Sequence, residues 1–291
     1  MQRYLPPQLA ETLDVLREQQ SQDIWKWLTK KLYALNEWAA VQGYDKLLVR
    51  VESTVHSALA LSMARAARRL DNCPFKHLIA LTTAPLEATQ THALLAANFD
   101  VRYVDLEPLQ QALAHTVCNA QLLQCANACE AAATAAMLQV MRAQDDRLAT
   151  LGFVDRDQSA YLGDINIALE GSCDVQLLTD LHRSEIFELA AVTGVRPPDG
   201  KYEVQDVHSL YASASSEEAE LYARLNRLSP DAFATIRKGW SDETQEWVIH
   251  MQARIALIHD AQRRVYQGAS PCVHLDLTQP PTGGLNYKPW N

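Results

Sequence analysis

The residues with the most chemical potential in this chain lie in a short polar turn, Glu52-Ser53-Thr54-Val55-His56-Ser57, between an apolar run and an Ala/Leu-rich segment. A turn that feeds directly into a helix N-terminus can hold a phosphate on backbone N–H groups. His56 beside Glu52 and Ser57 also has the residue types of a nucleophile, a base and an orienting group. The spacing is local and no elbow glycine accompanies it, which argues against a catalytic triad. The plainer expectation is that Ser57 caps the helix while Glu52 and His56 pair with each other or with water. Two further clusters carry charge. Asp155, Arg156 and Asp157 follow an apolar run, at the kind of strand end where open α/β sheets bind ligands. Asp180 and Glu185 flank Arg183, either as a clamp for an anionic ligand or as a structural salt-bridge cluster.

These residues need elements to position them. Leu13, Leu16, Ile24, Trp27, Leu28, Leu32, Leu35 and Trp38 recur at three- and four-residue steps, which predicts helix over 9–41 with a break around 19–22. Gly43 is expected to close the second helix. Short apolar runs at 47–51, 78–81, 101–106, 148–154 and 175–178 read as strands. Between them lie helical segments at 57–70, 86–98 and 109–142, the last divided near Cys118, and a helix over 184–194 with Ser184 as its cap and Gly194 as its stop. Alternation of this kind predicts an α/β fold: a doubly wound parallel sheet of about five strands flanked by helices, with helical N- and C-terminal extensions. The chain divides into residues 1–195, an α/β unit with its N-terminal helices, and residues 196–291. The second part holds helices over 217–228 and 244–266 and a Pro/Gly-rich tail expected to wrap a surface as part of the same compact unit.

Composition narrows the function classes. Among 291 residues, 48% are hydrophobic and 21% charged, which is ordinary for a globular protein, and the net charge of −9 argues against a nucleic-acid surface. No stretch reaches the ~20 apolar residues of a membrane span, and the N-terminus lacks an apolar signal core, so a cytoplasmic location is expected. Cys118, Cys125 and Cys129 align on one helix face, but their spacing matches no zinc or cluster run; they are expected to be core thiols, and no metal site is expected from them. Trp25, Trp27 and Trp38 are expected in core or dimer packing.

Two segments together resemble the ammonia-dependent NAD synthetases. Ser57-Ala58-Leu59-Ala60-Leu61 matches the end of that family's Ser-Gly-Gly-x-Asp-Ser loop and helix. Residues 177–190, which include Asp180, Arg183 and Glu185, are similar to its P-L-x-D-L-x-K-T-E-V-x-E-L-A segment. The resemblance implies an adenine nucleotide α-hydrolase type of fold, a homodimer, and ATP-dependent amide formation with ATP and Mg²⁺ if the family activity is kept. The nucleotide-binding positions it carries over are Glu52, Ser53, Thr54, His56, Ser57, Asn127, Asp155, Asp180, Arg183 and Glu185, with no catalytic residue assigned.

Carried over position by position, the phosphate machinery is altered. Glu52, Ser53, Thr54 and His56 stand where the family has Ser, Gly, Gly and Asp. Side chains at 53 and 54 narrow the space for a phosphate and disfavour positive φ. The family's N-x-x-A-R-x-R segment corresponds to residues 127–133, where Asn127 remains and both arginines are alanine. The G-T-x-N-x-S-E turn reads as Gly152 to Ser159 with its pattern lost, and Arg183 replaces a lysine. These changes favour an NAD synthetase-like protein that does not make NAD but binds a nucleotide, an adenine dinucleotide, another small molecule or a partner subunit. An amide ligase with a rebuilt phosphate site is the alternative, and unrelated chemistry in the old cleft through His56 or Asp155 is a third reading.

Overall fold

The computed structural model describes residues 5–117, 126–162, 173–196, 207–209, 212–265 and 273–274. Helices α1 (Pro7–Gln19) and α2 (Ile24–Gln42) precede β1 (Lys46–Arg50), followed by α3 (Val55–Ala67), β2 (His77–Thr82), α4 (Ala88–Ala96) and β3 (Phe99–Tyr103). Then come α5 (Glu107–Val117), α6 (Ala126–Gln144), β4 (Leu148–Gly152), α7 (Arg156–Leu162), β5 (Val175–Gln176) and α8 (Arg183–Thr193). The remainder holds a hairpin, β6 (Val207–Ser209) and β7 (Ala212–Ala214), helices α9 (Ser216–Leu225), α10 (Pro230–Arg237) and α11 (Asp242–Val265), and β8 (Val273–His274).

The main sheet has the order β3-β2-β1-β4-β5-β8, and every pairing in it is parallel. Helices cover both faces, so β1 in the middle is a continuous apolar run: Leu47, Leu48 and Val49 are all buried. Leu47, Val49, Leu78, Ala80, Ala149 and Leu151 face α2, α3 and α8 in the larger core. Leu48, Ile79, Leu81 and Leu148 face Leu106 and the α6 residues Ala133, Met137 and Leu138. The small inner face of α3 lets its backbone close on the sheet, with Ala60, Ala64 and Ala67 wholly buried. A further core joins α1 to the later helices. Leu9, Leu13 and Leu16 of α1 pack with Tyr161 of α7, Leu221 and Leu225 of α9, and Val248, Met251 and Ile255 of α11.

The helix break near 19–22 and the stops at Gly43 and Gly194 are as expected; both glycines are left-handed, at φ 79 and φ 67. Several boundaries differ. The third strand begins at Phe99 rather than 101, because pairing to β2 runs Leu78 to Phe99 through Thr82 to Tyr103. The tail contributes a sixth, two-residue strand, and the polar stretch before Ser216 contains a hairpin. Helix α10 begins with Pro230 behind the capping Ser229, a short start signal the periodicity reading passed over. Trp27 and Trp38 are core residues, whereas Trp25 is exposed. Cys118 and Cys125 lie outside the described residues, as does the Cys129 side chain. No helix among the described residues is long and apolar enough to cross a membrane.

Gly152 is the last residue of β4, and the buried Gln176 amide lies against it. A β-carbon there would stand 2.4 Å from Gln176 Oε1, the atom that accepts the Val154 N–H at 3.1 Å. Gly152→Ala is therefore expected to lower stability by about 1–3 kcal/mol in urea unfolding, through overpacking and loss of that bond.

Candidate functional site

Strand order reverses between β1 and β4: β2 and β3 follow on one side of β1, β5 and β8 on the far side of β4. The carboxyl ends of two such strands flank the crevice in which open α/β sheets bind ligands. The turn at 52–57 leaves the end of β1, and Asp155 follows the end of β4, so both lie on this crevice.

The turn is closed on itself. Thr54, not Ser57, caps α3, its Oγ1 accepting the Ser57 N–H at 3.1 Å. Ser57 Oγ accepts the Glu52 N–H at 3.0 Å and donates to the Arg50 carbonyl at 2.9 Å. Glu52 pairs with Arg50 at 3.2 Å rather than with His56, and Arg50 lies over the Phe153 ring at 5.4 Å. Ser53 is exposed.

His56 turns inward and crosses the crevice. Its Nε2 is 2.8 Å from Asp155 Oδ2, with Asp155 wholly buried. The other carboxylate oxygen accepts the Gln158 N–H at 2.7 Å, so Asp155 also caps α7. Sequence spacing could not pair these residues, which stand 99 positions apart.

A second buried set lies beside the first. Asp157 accepts from His182 Nδ1 at 2.6 Å and from the Arg183 N–H at 2.7 Å. Arg227 donates to His182 Nε2 at 3.0 Å. A guanidinium can only donate, so Nε2 is the acceptor and the hydrogen sits on Nδ1. Burial and then the Arg224 charge hold the imidazole neutral, with its pKa lowered to about 3. Burial, followed by the Asp155 and Glu220 charges, pushes the Asp157 carboxyl well above its ordinary value. Glu220 goes the other way: burial alone would raise it, but hydrogen bonds from Arg17 and Ser184 and the charges of Arg17 and Arg224 outweigh that.

Asp157, His182 and Glu220 bring three potential metal-ligand atoms within 4.8 Å of one another. Each already has protein donors. Arg17 Nη2 stands 2.8 Å and Arg224 Nε 2.9 Å from the Glu220 carboxylate, and Ser184 Oγ 2.5 Å from it. Guanidiniums supply the countercharge here, and a metal ion would have to displace them.

Asp180 and Glu185 each meet their own donors. Asp180 accepts from Lys31 Nζ at 2.8 Å and Trp27 Nε1 at 2.9 Å, in an ion pair with neither side chain exposed. Glu185 accepts the His182 N–H at 2.8 Å, making His182 and not Ser184 the N-cap of α8. Buried Arg183 lies over the Phe187 ring at 5.7 Å. Asn127 belongs to the first turn of α6, and its side chain lies outside what is described.

The sequence reading passed over Lys31, His182, Glu220 and Arg224. Lys31 had a signal: it falls in the buried stripe of Trp27 and Leu35 on α2, where a charge needs a partner. His182 stands three residues before Glu185, at capping-box spacing. Glu220 and Arg224 are an i, i+4 pair, which in sequence looks like any solvated helix face.

No protein-family model matches this sequence, and no curated protein sequence matches it. Solved structures do. The sheet order defines a doubly wound parallel α/β fold. NMN synthetase from Francisella tularensis aligns over 86% of this chain and 99% of its own, with a TM-score of 0.56 and 15% identity. NAD+ synthetase from Burkholderia pseudomallei aligns over 86% and 98%, with a TM-score of 0.55 and 17% identity. The chain has the NAD synthetase-like fold.

Two measurements probe the buried charges. Lys31→Met takes the Lys31 ammonium away from buried Asp180 and is expected to cost about 3–5 kcal/mol. The double variant Lys31→Met/Asp180→Asn removes the charge while keeping an acceptor for Trp27, and should recover more than half of that loss in urea unfolding. His182 supplies a pH dependence. Its imidazole titrates near 6.5 when unfolded and at about 3 when folded, so the unfolded state binds the extra proton between those values. Its stabilising contribution is complete above the unfolded value and is lost as pH falls toward the folded one. From about pH 7 to about pH 4, the stability of wild type should fall more steeply than that of His182→Asn.

Proposed function

We propose that this protein is a non-catalytic relative of the NAD synthetases that keeps their fold and a ligand crevice but does not carry out ATP-dependent amide synthesis. The observation that supports this most is the His56–Asp155 bridge at 2.8 Å across the crevice between β1 and β4. Position 56 corresponds, by resemblance, to an acidic residue of the ATP loop. The amide reaction requires a backbone that can close on a pyrophosphate and cations to take up charge on the leaving group. Here side chains stand at 53 and 54, and Thr54 and Ser57 use their hydroxyls to close the turn. The acidic groups at the strand ends are held by His56, Arg50 and His182.

On this reading the crevice takes an adenine dinucleotide or another small ligand, or the chain acts on a partner subunit. It works as a homodimer in the cytoplasm. The fold and the retained segment at 177–190 support a nucleotide-derived ligand, and the closed turn argues against a triphosphate.

Calorimetric titration with Mg-ATP and with nicotinic acid adenine dinucleotide, paired with an assay for AMP release in ammonia, tests the proposal. The expected result is no AMP release and no Mg-ATP binding at millimolar concentration. Mg-ATP binding followed by AMP release with an acid substrate would instead establish an amide ligase with a rebuilt phosphate site.

A further inference from the structure

We infer that the His56 imidazole occupies the coordination position a divalent cation would need beside Asp155, so that this crevice binds its ligand without magnesium. The inference rests on the non-catalytic reading above and sharpens it, because the family reaction implies a magnesium ion at this edge of the sheet.

Magnesium needs near-octahedral oxygen ligation at ~2.0–2.1 Å, usually from carboxylates with waters and phosphates. Asp155 does not offer it. One oxygen holds the imidazole at 2.8 Å and the other the Gln158 N–H at 2.7 Å, and no part of the residue is exposed. An imidazole nitrogen in place of a second carboxylate is a poor partner for so hard a cation. The other acidic groups at these strand ends are committed elsewhere. Glu52 is paired with Arg50 at 3.2 Å, and Asp157 accepts from His182 and the Arg183 backbone. Among the described residues, the one group of three close ligating atoms is Asp157, His182 and Glu220; Glu220 is held by Arg17 and Arg224, and Asp157 by the His182 ring and the Arg183 backbone N–H.

The geometry also says what would reverse this. An acid at 56 would bring two carboxylates together where the 2.8 Å contact now stands, and two buried carboxylates cannot both ionise without a cation between them. The role of His56 is therefore testable by metal alone, in the absence of nucleotide, which separates the outcome from that of the AMP assay. Mn²⁺ is titrated into the full chain and followed by electron paramagnetic resonance, for wild type, Asp155→Asn, His56→Asp and the double variant His56→Asp/Asp155→Asn, with folding checked by circular dichroism.

Wild type is expected to show no saturable site that Asp155→Asn removes. His56→Asp is expected to bind one Mn²⁺ at least about tenfold more tightly than wild type, and the double variant to lose that gain. A wild-type site of micromolar affinity that disappears in Asp155→Asn would overturn the inference, and this titration decides even if His56→Asp fails to fold. A folded His56→Asp chain with no gain in Mn²⁺ affinity would overturn it as well.

Discussion

A buried carboxylate must find hydrogen-bond donors, and that requirement organises the carboxyl ends of β1, β4 and β5. Asp155, Asp157 and Asp180 are each almost or wholly removed from water, and each is met by donors from a different part of the chain. Asp155 takes His56 from the start of α3; Asp157 takes His182 and the first N–H of α8; Asp180 takes Lys31 and Trp27 from α2. The loops after β4 and β5 are thereby tied to the helix after β1 and to the N-terminal helices. Because carboxylate geometry is directional, these ties fix orientation as well as proximity.

The same requirement brings α1 and α9 into the site's surroundings. Glu220 on α9 is held by Arg17 of α1 and Arg224 of its own helix, and Ser184 of α8 donates to it. Apolar packing of α1 against α9 and α11 provides the non-directional part of that association, and the ionic contacts set its register. A buried ion pair is a poor source of net stability but a strong constraint once both partners are buried, since either one alone is left uncompensated. The edge of the sheet is thus built for definition more than for strength. Among the described residues, Asp155, Asp157 and Glu220 at this edge are met by His56, His182 and two arginines.

Much of the fold was readable from the amino-acid order. Five parallel strands, the paired N-terminal helices, the alanine face of α3 and the stops at Gly43 and Gly194 rest on local signals: apolar period, small-residue spacing and left-handed glycine. Strand β8 and the β6–β7 hairpin carried no such signal, being two and three residues per strand and decided by pairing rather than pattern. The caps show the limit clearly. Serine is the commoner cap by preference, yet Thr54 and His182 hold the positions assigned to Ser57 and Ser184, because the hydroxyls of Ser57 and Ser184 are used by Arg50 and Glu220.

By itself, the sequence determined that the turn at 52–57 has no glycine and that Glu52 is its one acid. It could also place Asp155 after a strand and Asp180 and Glu185 around a helix start. What each charged group meets was decided only in three dimensions. His56 and Asp155 stand 99 residues apart, and Lys31 and Asp180 stand 149 apart, so their pairing follows from strand order and not from spacing. The physical reason is that backbone preferences act over a few residues, while a buried charge selects whichever donor the completed fold brings within hydrogen-bond reach.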